Sequence, residues 1–150
     1  MIAVDTNLLI YAHRAEFPDH DRALEIVRGL ATSSIGWGIP WPCLGEFASV
    51  VTNPRTFGRP STIEEAVIQL DVWVHAPAVR LLGERVDTWF HLRELLIESR
   101  VTRSGVHDAR IAAICLDHGV SELWTADRDF SKFPRLRTRN PLAEPTEPPL

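Results

Sequence analysis

Ile2-Ala3-Val4-Asp5-Thr6-Asn7-Leu8-Leu9-Ile10-Tyr11-Ala12-His13 is the stretch that decides the fold. Three apolar residues lead into an acid, and the acid leads into two small polar residues. Residues 2–5 read as a buried strand ending in a carboxylate. Residues 6–13 read as a short helix that Thr6 or Asn7 can cap. The pattern returns late in the chain, in Leu123-Trp124-Thr125-Ala126-Asp127-Arg128-Asp129-Phe130. There a strand over 122–125 again runs into acids. Strands alternating with helices predict an α/β fold with a mainly parallel sheet. Acids at strand ends and helix starts lie where such a sheet gathers a site.

The segments between fit this scheme. Pro18 to Leu30 reads as a helix, with Ala23, Leu24, Val27 and Leu30 at helical spacing. Residues 36–40 turn into a short extended piece. Pro42 opens a helix that Asn53-Pro54 ends. Residues 54–60 form a loop, and Ser61-Thr62-Ile63-Glu64 matches a capping box before a helix over 62–74. A strand over 79–82 and a long helix over 85–98 follow. Thr102-Arg103-Ser104-Gly105 reads as a loop before a helix over 107–118 with Gly119 as its C-cap. Residues 136–138 make a last short strand. With no internal repeat and no linker, the chain divides into one domain, 1–141, and a proline-rich tail, 142–150.

The 150 residues suffice for one domain with a real core, and 45% hydrophobic with 24% charged is ordinary for a globular protein. No apolar run approaches membrane-spanning length and no signal-peptide pattern opens the chain, so a cytoplasmic location is expected. Cys43 and Cys115 stand alone, without zinc spacing, and read as reduced packing residues. The net charge of −4 argues against a nucleic-acid binder. Several acids gathered around a bound cation soften that objection. Lys132 is the only lysine beside fifteen arginines. Arginine is the better fork for phosphate, although GC-rich coding also favours it.

Four acids are candidates for the site. Asp5 ends a strand at the carboxyl edge, and its competing reading is a helix N-cap. Asp108 lies in the first turn of its helix, on the face shared by Ile111, Ala112 and Cys115. A dipole-favoured acid is the alternative, but does not explain that inward direction. Asp127 follows a strand, with Asp129 two residues on, and the pair can equally shape a turn. Asp127 is the choice for the site, and Asp129 is expected to order the loop. Glu46 points away from the stripe of Leu44, Phe47, Ala48 and Val51. Periodicity alone gives it a solvated role, although Cys43 and Val50 on its own face are apolar. Carboxylates this close raise one another's pKa unless a hard divalent cation such as Mg²⁺ or Mn²⁺ neutralises them. Such a centre suits metal-dependent chemistry on phosphate, with an activated water and an in-line displacement. Thr6, Asn7 and Thr125 are polar neighbours suited to orienting a water or an acid, or to capping backbone.

These segments resemble a known family. The opening Ile2 to Ala12, Ile39-Pro40-Trp41-Pro42-Cys43-Leu44-Gly45-Glu46-Phe47, His107-Asp108-Ala109-Arg110-Ile111-Ala112-Ala113 and the stretch 123–130 look like the blocks of a PIN domain. Their order and spacing are similar to VapC toxins of bacterial type II toxin–antitoxin systems. The resemblance runs from residue 1 to about 141. It implies a three-layer α/β/α fold and a Mg²⁺- or Mn²⁺-dependent endoribonuclease. It also implies a homodimer and a small VapB-like antitoxin partner. The family's four acids fall on Asp5, Glu46, Asp108 and Asp127, with Asp5 and Asp108 the most direct metal ligands. The resemblance thereby raises Glu46 above what its periodicity justifies. Arg55, Arg59, Arg103, Arg110 and Arg128 flank the acids or sit in loops, and are candidates for RNA phosphate contact. The alternatives are a non-catalytic PIN-like module that binds RNA or protein, and a phospho-acceptor or small phosphatase. The second suffers from having only Lys132 to serve it. No GxGxxG or P-loop pattern supports nucleotide binding.

Overall fold

The computed structural model describes residues 1–143. The chain runs β1 (Ile2–Val4), α1 (Thr6–His13), α2 (His20–Thr32), β2 (Trp37–Pro40), α3 (Trp41–Val51), α4 (Ile63–Val74) and β3 (Val79–Leu82). It continues through α5 (Thr88–Ser99), α6 (Ser104–Asp117), β4 (Glu122–Trp124), a 3₁₀ turn (Arg128–Lys132) and β5 (Thr138–Arg139). Of the proposed tail, residues 144–150 lie outside the described residues.

The five strands form one sheet in the order β3-β2-β1-β4-β5, and all four pairings are parallel. The chain steps outward from β1 to β2 to β3, then returns past β1 to β4. Right-handed crossovers therefore put α1–α4 on one face and α5–α6 on the other, which makes the three layers. The packing agrees: α1 lies against α2 and α3, α3 against α4, and α5 against α6. β1 and β4 flank the point where the direction of winding reverses, the crevice where open α/β sheets hold ligands.

The core is Trp37, Phe47, Phe130, Phe133, Leu8, Leu9 and Ile39 with their smaller neighbours, all buried. Phe47 sits edge-on to both His13 and Trp73. Among the described residues, no helix is long and apolar enough to cross a membrane.

Local boundaries depart from expectation for identifiable reasons. The capping box of α4 is Thr62 with Glu65, one residue later than Ser61 with Glu64. Ser61 is buried and its hydroxyl is occupied by His13 Nε2 and Arg14 Nη1, both at 2.9 Å. Helix α2 starts at His20, not Pro18, because Phe17 turns inward to stack on Tyr11 and Phe57. The last strand is 138–139, not 136–138. Leu136 is buried as an apolar anchor, and its N–H bonds Phe133 within a turn.

The largest shift is at α6. It begins at Ser104, so residues 104–105 belong to the helix rather than a loop, and Asp108 lies in its second turn rather than its first. Gly105 looks like a helix breaker but serves close packing, since a Cβ there would sit 2.8 Å from Val101 Cβ. Arg103 makes the entry with φ 55° and ψ −126°. The N–H of Gly105 bonds the carbonyl of Thr102. That is the geometry of a II′ turn, whose first central position favours glycine.

Candidate active site

The site starts at the adjacent ends of β1 and β4. Val4 pairs with Trp124, and the Asp5 N–H extends the ladder by donating to the Trp124 carbonyl at 3.0 Å. Asp5 and Thr125 thus leave the sheet side by side, although 120 residues separate them. Asp5 is 4% exposed, and every bond to its carboxylate is made from inside the protein. Its Oδ1 accepts from the Thr6 N–H at 2.8 Å, so it caps α1 as well as facing the site. The thiol of fully buried Cys43 lies 3.8 Å from the same oxygen. Its Oδ2 accepts from the Thr125 hydroxyl at 2.8 Å and from Asn7 Nδ2 at 3.0 Å.

Asn7 and Thr125 tie the two strand ends together. Asn7 Nδ2 also donates to Thr125 Oγ1, and Asn7 Oδ1 accepts the Ala126 N–H. Thr125 Oγ1 accepts the Asp127 N–H at 3.0 Å. Thr6 works in the other direction: its hydroxyl donates to Glu46 Oε2 at 2.9 Å. The three polar neighbours therefore each hold an acid or the backbone beside one.

A second tier of acids lies outside this network. Oxygens of Asp108, Asp127 and Asp129 come within 4.8 Å of one another. Asp127 Oδ1 caps the 3₁₀ turn by accepting the Asp129 N–H at 2.8 Å. The turn swings Asp129 toward Asp108, and Lys132 pairs with it at 3.4 Å. Of the two neighbouring acids, Asp127 orders the loop, the role the sequence suggested for Asp129. Asp129 is also the member of the cluster that sequence reasoning left out. Its spacing is that of any turn acid, and only the D-x-D pattern itself hinted at it.

Electrostatics couple the two tiers. Burial pushes the Asp5 carboxyl up to about 6, with repulsion from Glu46 and Asp108 adding to it and the Thr125 and Thr6 hydrogen bonds opposing it. Asp108 is also raised to about 6, by partial burial first and then by Asp127, Glu46 and Asp129, against a small relief from Lys132. Burial drives the Cys43 thiol well above its ordinary range and the Cys115 thiol up to about 12. Both thiols are inert packing groups.

Asp5, Glu46, Asp108 and Asp127 thus share one field. A cleft of about 530 Å³ opens beside them, lined by Trp41, Gly45, Glu46, His107, Asp108 and Arg110 among others. The arginines divide. Arg110 lines that cleft but is paired with Glu84. Arg128 lines a neighbouring cleft with Asp127, and Arg103 makes the turn into α6. Arg55 and Arg59 lie elsewhere. Arg59 takes a bond from Arg14 at the far end of α1, about 12 Å along the helix from Asp5.

The donor set fits a hard divalent cation: three carboxylates, oxygen ligands only, and mutual repulsion that a cation would remove. A parallel sheet wound about its own first strand, with carboxylates at the β1 and β4 ends, defines an α/β domain with an acidic centre at its switch point. The PIN domain model matches residues 2–136, and the chain belongs to the PIN domain family and, within it, to the VapC group. It is 35% identical to ribonuclease VapC43 of Mycobacterium tuberculosis over 142 residues, 95% of this chain and 96% of that one. Solved structures share the fold. VapBC2 from Rickettsia felis, bound to a promoter DNA fragment, matches with TM-score 0.65 at 21% identity, over 93% of this chain and 98% of that one. M. tuberculosis VapC20, a sarcin–ricin loop cleaving toxin, matches with TM-score 0.64 at 22% identity, over 87% and 93%.

Proposed function

We propose that this protein is a divalent-metal-dependent endoribonuclease, the toxin of a VapBC-type toxin–antitoxin pair. The nuclease unit spans residues 1–141 and acts on RNA in the cytoplasm. The observation that carries the reading is the convergence of Asp108, Asp127 and Asp129 beside the Asp5–Thr125–Asn7 network, in a chain 35% identical to VapC43. We assign Asp108, Asp127 and Asp129 to holding Mg²⁺ or Mn²⁺, and Asp5, which the resemblance made a direct ligand, to the buried charge behind them, since both its oxygens already accept hydrogen bonds. A bound cation there would polarise the phosphate and lower the pKa of the attacking water.

The chain's own residues do the rest. Asn7 and Thr125 keep Asp5 oriented and so hold the β1 and β4 ends in register. The Thr6 hydroxyl orients Glu46, which we assign to positioning the attacking water through its carboxylate. The 3₁₀ turn holds Asp129 over Asp108, with Lys132 balancing part of the charge. Regulation belongs to partners. Exposed Ile63, Val67, Ile68 and Val72 on α4, and Trp89, Phe90 and Ile97 on α5, are apolar surfaces that a second copy and a VapB-like antitoxin would cover. A structural neighbour from Klebsiella pneumoniae is a toxin–antitoxin complex.

The test is cleavage of total RNA by the purified protein with Mg²⁺ or Mn²⁺, with EDTA, and with Asp108→Asn. Cleavage is expected only with metal, and the variant should lose at least about 100-fold. Equal cutting in EDTA, or by the variant, overturns the reading.

A further inference from the structure

The acidic centre creates a problem for its own substrate. RNA is a polyanion, the net charge of the chain is −4, and the cleft beside the centre contains Glu46 and Asp108. Its arginine, Arg110, is already paired with Glu84. Charge attraction therefore supplies little of the affinity there, and a neutral contact must supply the rest.

One residue in the cleft is built for that. Trp41 is 56% exposed, yet it is not on a slack loop. It is the first residue of α3, set between Pro40 at the end of β2 and Pro42 in the first helical turn. Both prolines restrict the backbone, which fixes the point and direction at which the Trp41 side chain leaves α3. It lines the same cleft as Glu46, five residues on, and Asp108. The cleft's volume falls within the roughly 300–1,000 Å³ of ligand-sized sites. The exposed apolar residues of α4 and α5 do not line it.

We propose that Trp41 is the stacking platform for a nucleobase next to the scissile phosphate, and thereby sets how single-stranded RNA is held in the site. The proposal rests on the ribonuclease reading for its substrate. Stacking on an aromatic face tolerates any base and does not depend on counterion release. It therefore works where the electrostatics are unfavourable. Trp41 is a positioning residue: it touches a base, and the acids touch the phosphate.

The experiment is binding of a fluorescently labelled single-stranded RNA in EDTA, where a metal-dependent nuclease does not cut. Trp41→Ala should weaken binding about 5- to 150-fold, and Trp41→Phe should restore most of it. The ratio between wild type and Trp41→Ala should stay constant as salt rises. An abasic nucleotide scanned along the oligonucleotide should, at one position, weaken wild type to the level of Trp41→Ala and leave Trp41→Ala unchanged. The proposal is overturned if Trp41→Ala binds as wild type does, or if no abasic position removes the difference. It is also overturned if wild type binds no RNA, or if light scattering shows that Trp41→Ala changes the oligomeric state, which makes the indole a subunit contact. Cleavage by the same preparations in Mg²⁺ reads separately: unchanged binding with normal cutting removes the platform and leaves the nuclease intact.

Discussion

The stability gap between wild type and Asp5→Asn, measured without metal, is expected to move with pH in an unusual direction. Asp5 is held near 6 in the fold against an ordinary 3.8, chiefly by burial. The folded protein thus binds this proton more tightly than the unfolded chain. The stability that Asp5 contributes is fully present below 3.8 and is lost as the pH rises through about 6. The whole difference is about 3 kcal/mol. Between about pH 8 and about pH 5 roughly 1.4 kcal/mol of it is recovered. The side-chain amide introduced by Asp5→Asn does not titrate, and it cannot accept at both positions that Thr6, Asn7 and Thr125 donate to. Its cost of about 1–3 kcal/mol is therefore independent of pH. Other groups bend the absolute profile. Asp108 acts in the same direction as Asp5. Burial lowers His13 below its ordinary 6.5, so its contribution is present above 6.5 and is lost as the pH falls. These groups are common to both proteins, so their own contributions largely cancel, and the difference reports Asp5 together with the repulsion it exchanges with Glu46 and Asp108. Urea denaturation in EDTA at the two pH values measures it. The gap should shift by about 1.4 kcal/mol in favour of wild type at the lower pH. A constant gap, or a shift the other way, refutes the account of Asp5 as a carboxylate strained by burial.

Thr125→Val removes a hydroxyl that serves Asp5, Asn7 and the Asp127 N–H together. A loss of about 1–3 kcal/mol is expected by chemical denaturation, and RNA cleavage in Mg²⁺ without denaturant should fall as well. Arg103→Gly relieves a backbone conformation that disfavours side chains. It should raise stability by about 1 kcal/mol in a thermal melt, after the entropy cost of glycine is subtracted. Gly105→Ala should do the opposite. The new methyl meets Val101 Cβ, and overpacking of about 1–3 kcal/mol outweighs the better helix propensity of alanine. Cys43 and Cys115, both fully buried with raised pKa values, should resist a thiol reagent in the native protein and react only in denaturant.

The legibility of the site differs from residue to residue. Asp5 was readable because two local signals coincide, an apolar strand before it and a helix after it. Asp108 was readable from its helical face, although its turn was misjudged because Gly105 looks like a breaker until Val101 packs against it. Glu46 was not readable from periodicity. Its place beside the other acids depends on the Thr6 hydroxyl, forty residues away, which only the fold brings to it. Asp129 was not readable either, because a turn acid and a cluster acid have the same local sequence.

Local patterns alone determined the alternation of strands and helices, the acids at the ends of β1 and β4, and the parallel sheet those imply, since each depends on residues a few positions apart. The tertiary structure decided which carboxylates meet. The return past β1 to β4 sets Asp5 against Thr125, and the 3₁₀ turn carries Asp129 to Asp108. It also decided that Trp41 stands exposed within the same cleft. These contacts join residues distant in sequence, and their energies come from burial and from fields that exist only once the sheet and its helices have packed together.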